Sequence, residues 1–248
     1  MRYIPIEKTE QDMILARSVY DNTGRVLLSC GTVLTDEYID KLYERGLPGI
    51  YIEDKLAEDI EIEEAISEEL RNEGAEALRN GDVDAAMSVG RRIVDEIIQN
   101  PRVTLDLIDL RSYDDYTYRH SVNVAVISTV IGINMQLNRL ALDELSIAAI
   151  LHDIGKRRID PKIINKKGKL TPEEYTEVKR HSEYGYEMVK SRIDLSAKIK
   201  NAILLHHENE DGSGYPKGLK GNQIFIYAKI IHVADAVSYT HLTLPTIA

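Results

Sequence analysis

Apolar residues recur at helical spacing through the second half of the chain, and this periodicity is the strongest constraint on its fold. It predicts one helix from about Tyr113 to Ile133 and another from about Asn138 to Gly155. A third helix begins at Thr171-Pro172, where a capping-box pattern places proline at the first helical position. Two more are predicted over about 195–207 and 223–237. Together these segments predict an all-α bundle.

The first 58 residues predict a small α/β module that precedes the bundle. Short apolar runs separated by turn signals predict strands, and Gly49–Ile52 is the last of them. Thr35 is predicted to cap a helix from Asp36 to about Arg45, which Gly46 then ends. The module contains no group of polar residues that indicates chemistry, so an interaction or regulatory role is predicted for it.

Residues 59–110 predict a charged helical connector between the module and the bundle. Acidic residues are dense from 53 to 76, and a solvated helix face explains them best. The connector is a candidate for pairing with a second copy of the chain, which would form a homodimer. The bundle is accordingly assigned to residues 111–248, and the fold class is predicted to be mainly α.

Composition excludes several classes of partner. The formal net charge of −10 argues against nucleic acid, because phosphate-backbone binding depends on clustered lysine and arginine. No apolar run reaches the roughly 20 residues that cross a bilayer, and the polar start is not a signal peptide, so no membrane partner is predicted. A single cysteine, Cys30, excludes an internal disulfide framework and suits a reducing, cytoplasmic location.

Histidine and aspartate residues that interrupt the apolar helix faces carry the functional prediction. They are His120, His152, Asp153, His181, His206, His207 and Asp235. A single histidine on such a face is usually a core residue with a protein partner, and this is the preferred interpretation of His232. The joint pattern on successive helices is much stronger, because buried imidazole and carboxylate groups need partners that a shared metal centre would supply.

Two adjacent pairs within this set indicate more than one ion. Neighbouring helical residues point about 100° apart, so His152-Asp153 and His206-His207 could each serve two ions. Seven candidate ligands exceed the four of a tetrahedral structural zinc site. Two divalent ions with a water between them suit phosphoester hydrolysis. The basic segment 156–169 fits an anionic ligand, with a solvated loop as the alternative.

Over about residues 112–236 the chain resembles the HD-GYP family of cyclic di-GMP phosphodiesterases, a bacterial subgroup of the HD-domain phosphohydrolases. Besides the candidate ligands, the resemblance is carried by Gly155, Lys156 and a motif loop comprising Glu208, Asp211, Gly212, Gly214, Tyr215 and Pro216. It implies a pair of divalent metal ions, iron or manganese. It also implies hydrolysis of a cyclic dinucleotide substrate, cyclic di-GMP, to linear pGpG and sometimes to GMP.

The resemblance assigns roles to individual residues. It implies that all the candidate histidines and aspartates listed above bind metal, with Asp153 bridging the ions and taking part in catalysis. It implies that Lys156 is a catalytic and substrate-binding residue that holds a phosphate or assists the leaving group. The Gly-Tyr-Pro loop would shape the site and offer a surface to a signalling-protein partner.

The chain departs from the family pattern at two places. Members with a third metal carry glutamate four residues before the first histidine, and Tyr116 stands there, which favours two ions. The family also continues past its last aspartate with a basic Asp-Arg-Pro-Tyr-Arg-like segment. Here the residues after about Ala236 are rich in threonine and β-branched residues, which predicts a poor helix. We hypothesise that this tail is foreign sequence after a truncation.

Two alternatives stay open on sequence alone. One is an HD phosphohydrolase that acts on another nucleotide or cyclic dinucleotide. The other is a non-catalytic module that keeps metal for structure and signals through its Gly-Tyr-Pro surface.

Overall fold

A computed structural model describes residues 1–20, 26–47, 49–54, 65–99, 116–166 and 168–240. Within them, residues 1–54 form one compact unit, and residues 65–99 with 117–240 form a second. The structure is mainly helical with a few short strands near the N-terminus, which confirms the predicted fold class. Among the helices of these segments, none is long and apolar enough to cross a membrane.

The first unit contains short antiparallel strand pairs and one α-helix. Its elements are β1 (Arg2–Pro5), a 3-10 helix (Ile6–Lys8), β2 (Val19–Tyr20), β3 (Val26–Leu28), α1 (Asp36–Glu44) and β4 (Gly49–Ile52). β1 pairs with β4, and β2 pairs with β3. Thr35 caps α1 by accepting a hydrogen bond from the Tyr38 amide, and Gly46 has a φ of 77° just after the helix ends, so both predicted signals are confirmed.

Helices account for the regular structure of the second unit. They are α2 (Glu68–Asn80), α3 (Val83–Gln99), α4 (Tyr116–Asn134), α5 (Arg139–Leu151), α6 (Pro161–Ile164), α7 (Pro172–Lys179), α8 (His181–Val189), α9 (Ala197–Leu205) and α10 (Ile226–Thr240). Two 3-10 helices cover Ile154–Arg158 and Gly221–Gln223. The capping box predicted at the start of α7 is present, with Thr171 and Glu174 exchanging bonds.

Helices α2 and α3 are part of the bundle core. Leu70 of α2 and Ile93 of α3 are fully buried in the same apolar cluster as Leu145 of α5. Ser146 of α5 also donates a 2.8 Å hydrogen bond to the Gly90 carbonyl of α3. Their packing differs from the separate connector predicted for 59–110, and we propose instead that the bundle unit begins before α2.

Two arginines tie α2 to the segments that carry candidate ligands. Arg119, beside His120 on α4, forms a 2.7 Å ion pair with Glu68. Arg157, in the 3-10 helix after His152-Asp153, donates to the Leu78 carbonyl near the end of α2 at 3.3 Å. The Gly81 amide donates to the same carbonyl at 3.1 Å, so Arg157 adds a side-chain contact to a helix end that is already capped by backbone.

Two helix boundaries differ from the sequence-based predictions. The third predicted helix breaks at Arg180, so His181 opens α8 instead of closing α7. Helix α10 continues to Thr240, although the residues after Ala236 predict a poor helix. The rest of the tail lies outside the described residues, as do 113–115 at the predicted start of α4.

Candidate metal centre

Three of the predicted histidines lie at helix ends and share one anchoring contact. His152 follows α5, His181 opens α8 and His206 follows α9. In each, Nδ1 lies close to the carbonyl oxygen three residues earlier: 2.7 Å for His152 to Ala149, 2.7 Å for His181 to Val178 and 2.8 Å for His206 to Ile203. Backbone carbonyls in the last turn of a helix therefore fix the rings.

This anchoring assigns the tautomer of each ring. A carbonyl oxygen only accepts hydrogen bonds, so the nearby Nδ1 must carry the proton, and Nε2 of the neutral ring is left with a bare lone pair. The Nε2 atoms of His181 and His206 nevertheless approach to 3.1 Å. Two lone pairs at that distance repel each other, and a cation between or beside them would remove the repulsion.

A first group of candidate ligands forms between α4, α5 and α10. His120 lies within α4, and its Nε2 is 2.8 Å from Oδ1 of Asp235 on α10. Its Nδ1 is 3.0 Å from Oγ of Ser238. His152 Nε2 lies 4.0 Å from the same Asp235 oxygen. Ligand atoms of His120, His152 and Asp153 all lie within 4.8 Å of one another, close enough to hold a metal ion.

A second group forms between α8, α9 and the motif loop. Ligand atoms of His181, His206 and His207 also lie within 4.8 Å of one another. The ring of Tyr215 stacks on His207 with centroids 4.7 Å apart and planes 25° apart, which orients that imidazole. His232 contacts the His206 carbonyl through Nδ1 at 2.9 Å, so it adjoins this group through backbone.

Asp153 lies between the two groups. Its Oδ2 is 3.4 Å from Nε2 of His152, and its Oδ1 is 3.3 Å from Nε2 of His181. The side chain is almost fully buried, and the Lys156 ammonium donates to Oδ2. One carboxylate therefore faces both groups with different oxygens, and the structure brings together all of the predicted histidine and aspartate residues.

Gly155 explains how Asp153 and His181 come so close. A Cβ on Gly155 would lie 1.9 Å from the His181 carbonyl oxygen and 2.4 Å from the Gly185 amide nitrogen. Only a residue without a side chain allows the backbone of this 3-10 segment to touch α8. The glycine thus positions the HD segment against the next ligand-bearing helix.

The motif loop is held by its own polar residues. The buried Glu208 carboxylate accepts hydrogen bonds from the Lys217 and Leu219 amides at 2.6 and 2.7 Å. Gly214 lies so near the backbone that a Cβ would be 2.4 Å from the His207 carbonyl oxygen. The Tyr215-Pro216 bond is cis, and the Tyr215 amide donates a 3.0 Å hydrogen bond to the His207 carbonyl oxygen.

The exposed end of the same loop is a turn held by local hydrogen bonds. Asp211 accepts bonds from both the amide and the hydroxyl of Ser213, at 2.8 and 2.7 Å. Gly212 has a φ of 83°, in the left-handed region that favours glycine. Glu208, Asp211, Gly212, Gly214 and Pro216 therefore shape the loop, whereas Tyr215 reaches the histidines.

The electrostatics of the two groups differ. Burial and the neighbouring imidazoles hold the pKa of His206 well below its usual range, and burial with His181 lowers the pKa of His207 to about 3. In the first group burial opposes charge, but Asp153 and Asp235 outweigh it and raise the pKa of His152. Despite its burial, hydrogen bonding to His120 lowers the pKa of Asp235 to about 2.

The donor set fits divalent metal. His152 Nε2 and Asp153 Oδ1 are buried atoms without a hydrogen-bond partner, although buried polar atoms normally have one. Both point toward the neighbouring ligand atoms. Lone pairs on imidazole nitrogens and ionised carboxylates are what such an ion requires. The pKa of His206 is strongly lowered, so its imidazole binds a proton only weakly. The nitrogen lone pair therefore stays available to a metal ion.

A family model described as an HD domain matches residues 102–243, which is more than half of the chain. The chain belongs to the HD-domain family. The predicted resemblance of this HD domain to the HD-GYP phosphodiesterases is confirmed.

Known relatives cover part of this HD-domain chain. A cyclic di-GMP phosphodiesterase of Pseudomonas aeruginosa is 38% identical over 147 residues, 58% of this chain and 36% of the relative. A 3'3'-cGAMP-specific phosphodiesterase of Vibrio cholerae is 34% identical over 145 residues, 57% of this chain and 32% of the relative. The chain thus spans about a third of the length of these relatives.

A solved structure has the same fold. An HDG"Y"P protein of Bdellovibrio bacteriovorus aligns with a TM-score of 0.59 and 20% identity, covering 95% of this chain and 86% of that protein. At this identity the likeness concerns the fold.

Some residues of the site have no strong signal in the sequence. Ser238 contacts His120 but lies in the tail that predicts a poor helix. Gly185 meets Gly155 across the helix contact, and a glycine inside a helical pattern is a weak hint of close packing. The carbonyl groups that hold the histidine rings are backbone atoms, so no residue type marks them. Only the position of a histidine three residues after a carbonyl at a helix end could predict such a contact.

Proposed function

We propose that this HD domain is a metal-dependent phosphodiesterase that hydrolyses cyclic di-GMP to linear pGpG. The observation that supports it best is the position of Asp153, whose two oxygens face separate groups of histidines. In this proposal His120, His152 and Asp235 hold one divalent ion, and His181, His206 and His207 hold the other. Asp153 is shared by both.

The side chains contribute orientation before any substrate arrives. Nδ1 of His152, His181 and His206 is bound to backbone carbonyls, so each Nε2 is aimed at the centre without rotating. Two ions bound there would lower the pKa of a shared water and neutralise charge that develops on the scissile phosphate. The buried walls exclude bulk water and strengthen these interactions.

Lys156 is the proposed contact to the substrate. Its side chain is 26% exposed, and its ammonium already lies on the Asp153 carboxylate. A cation at the open edge of the centre can pair with a non-bridging oxygen of the scissile phosphate. From that position it can also stabilise the alkoxide that leaves.

We further propose iron or manganese as the resident metals. Imidazole nitrogens with carboxylate oxygens suit these ions, and the described residues of both groups contribute no thiolate. The proposed ligands number four on each side when Asp153 is counted twice, which leaves coordination positions for water and phosphate.

A second candidate substrate has its own support. The chain is 34% identical to a relative named as specific for 3'3'-cGAMP, a level close to its 38% identity with the cyclic di-GMP enzyme. Both molecules are cyclic dinucleotides, so the same centre could serve either. Which purine the site accepts depends on contacts beyond the metal groups.

The deciding experiment is an assay of anaerobically purified protein loaded with iron or manganese. Cyclic di-GMP, 3'3'-cGAMP and bis(p-nitrophenyl) phosphate are supplied separately, and products are identified by chromatography. We expect pGpG from cyclic di-GMP, and a loss of at least about tenfold in Lys156→Met. Lys162→Met, a change at an exposed lysine of the same segment, is the matched control.

Two results would contradict the proposal. Turnover of 3'3'-cGAMP alone would transfer the function to the second candidate. Bound metal without turnover of any phosphodiester would identify a non-catalytic module instead.

A further inference from the structure

Helix α7 presents an aromatic ring and a cation side by side near the second histidine group. Tyr175 and Lys179 are four residues apart, which places them on the same helix face. The Lys179 ammonium lies 4.7 Å from the centre of the Tyr175 ring. Tyr175 is 54% exposed, so the ring is available on its outer side.

The same ammonium also reaches the motif loop. It lies 5.7 Å from the centre of the Tyr215 ring, and Tyr215 stacks on His207. Lys179 therefore lies between an exposed ring and a ring that packs on a proposed metal ligand. Along this path the surface continues from the histidines through Tyr215 and Lys179 to Tyr175.

Neighbouring basic residues are neutralised, whereas Lys179 is not. Lys166 pairs with Glu174 at 2.5 Å, and Arg180 pairs with Glu177 at 3.1 Å. Within the described part of the chain, Lys179 forms no ion pair with a carboxylate, and its contacts are the two rings. A cation in that setting keeps its charge available for an anionic ligand.

We propose that Tyr175 and Lys179 bind the half of a cyclic dinucleotide that is not cleaved. Tyr175 stacks on its purine base, and Lys179 pairs with its phosphate. The proposal rests on the function proposed above. A cyclic dinucleotide has two phosphates and two bases, and only one phosphate can occupy the metal centre. The other phosphate and its base therefore need a binding surface outside that centre.

Stacking on an exposed ring suits this ligand class. Every purine has a flat face, and base stacking on an aromatic side chain contributes roughly five- to 150-fold in affinity when tested by alanine substitution. A small diester such as bis(p-nitrophenyl) phosphate has no purine and no second phosphate. It should therefore be indifferent to both residues.

The test compares two substrates in metal-loaded protein. Tyr175→Ala is expected to raise the KM for cyclic di-GMP about tenfold with little change in kcat, whereas Tyr175→Phe retains a wild-type KM. Lys179→Gln is expected to raise the same KM and to reduce its dependence on salt. Rates on bis(p-nitrophenyl) phosphate should not change in any of them. Tyr43→Ala removes a 61% exposed tyrosine of the first unit and is the matched control.

The outcomes separate this inference from the proposed function. If cyclic di-GMP is cleaved and its KM is unaffected by Tyr175→Ala, this inference alone is overturned. A parallel loss on both substrates also overturns it, because that result indicates a structural role for the ring. If wild-type protein cleaves only the small diester and no cyclic dinucleotide, the proposed function fails and the inference fails with it.

Discussion

The two halves of the proposed metal centre are built from different sets of side chains. The first half, formed by His120, His152 and Asp235, contains a carboxylate of its own and shares Asp153. The second half, formed by His181, His206 and His207, contains imidazoles and depends on Asp153 for negative charge. The contrast is visible in the pKa values, which are raised for His152 and lowered for His206.

This contrast indicates how a buried centre can be assembled before metal binds. In the first half, His120 and Asp235 satisfy each other through a 2.8 Å contact, and His152 Nε2 faces carboxylate oxygens. In the second half, lone pairs of His181 and His206 face each other at 3.1 Å, held there by backbone carbonyls. We therefore expect the second half to depend more strongly on bound metal for its stability.

The largest effect is expected from removing the shared carboxylate. Asp153→Asn keeps the shape of the side chain but removes the charge that both halves use. We expect metal content to fall in both halves and turnover to drop by at least about a hundredfold, since even outer-shell changes cost about 10- to 100-fold. Metal analysis and steady-state assays measure the two effects. Retention of both ions would contradict the sharing of Asp153.

Changes confined to one half should remove one ion and leave the other. Asp235→Asn is expected to weaken the first half, and His207→Leu the second, each by about 10- to 100-fold in metal affinity. Titration of metal-free protein with manganese, followed by calorimetry, should then show one tight site in each variant. Loss of both sites in either variant would mean that the halves are not separable.

The contact between the 3-10 segment after Asp153 and helix α8 can be tested by substituting its glycines. Gly155→Ala would place Cβ 1.9 Å from the His181 carbonyl oxygen, so backbone must move, and we expect a loss of about 1–3 kcal/mol in the free energy of unfolding. Gly185→Ala is the matched control, because its Cβ would meet a side-chain atom of Ile203 at 3.0 Å. Denaturant unfolding of both variants measures the difference. Equal losses would contradict the special role of Gly155.

Local signals in the sequence predict local structure well in this chain. Thr171 and Glu174 form the capping box that their spacing indicates, and Thr35 caps α1, because these bonds join residues three positions apart. The sequence predicts the histidine and aspartate residues as a set, because buried imidazoles and carboxylates need partners. The adjacent His152-Asp153 pair, which could serve two ions, and the family resemblance both indicate that Asp153 lies between the halves.

Features that depend on packing could not be predicted in the same way. The charge of the segment 59–110 favours a solvated connector, but Val89, Ile93 and Ile97 form an apolar face on α3 that the bundle buries. The break at Arg180 that places His181 at the start of α8 has no proline or glycine signal. The His181 carbonyl lies against Gly155 beside this break, and a contact between separate helices has no local signal in the sequence.

The smallest predicted effect is on the pH dependence of the free energy of unfolding. The two halves are expected to contribute to it with opposite signs. His181, His206 and His207 have pKa values below the usual value of about 6.5, so the unfolded chain binds more protons than the folded one below that pH. Metal-free protein should therefore lose stability as pH falls from 7 to 5.

His152 acts in the opposite direction, since its raised pKa contributes stability below about pH 6.5 that is lost as pH rises. The carboxylates Asp153 and Asp235, with lowered pKa values, affect stability near and below their unfolded value of about 3.9, outside this window. His152 alone opposes the three histidines of the second half. The second half therefore determines the slope with which the free energy of unfolding changes between pH 7 and 5. His207→Leu should reduce that slope by up to about 1.4 kcal/mol per pH unit, measured by urea unfolding in the presence of a chelator. An unchanged slope would show that His207 takes up a proton within the fold, and the contrast between the halves would then not hold.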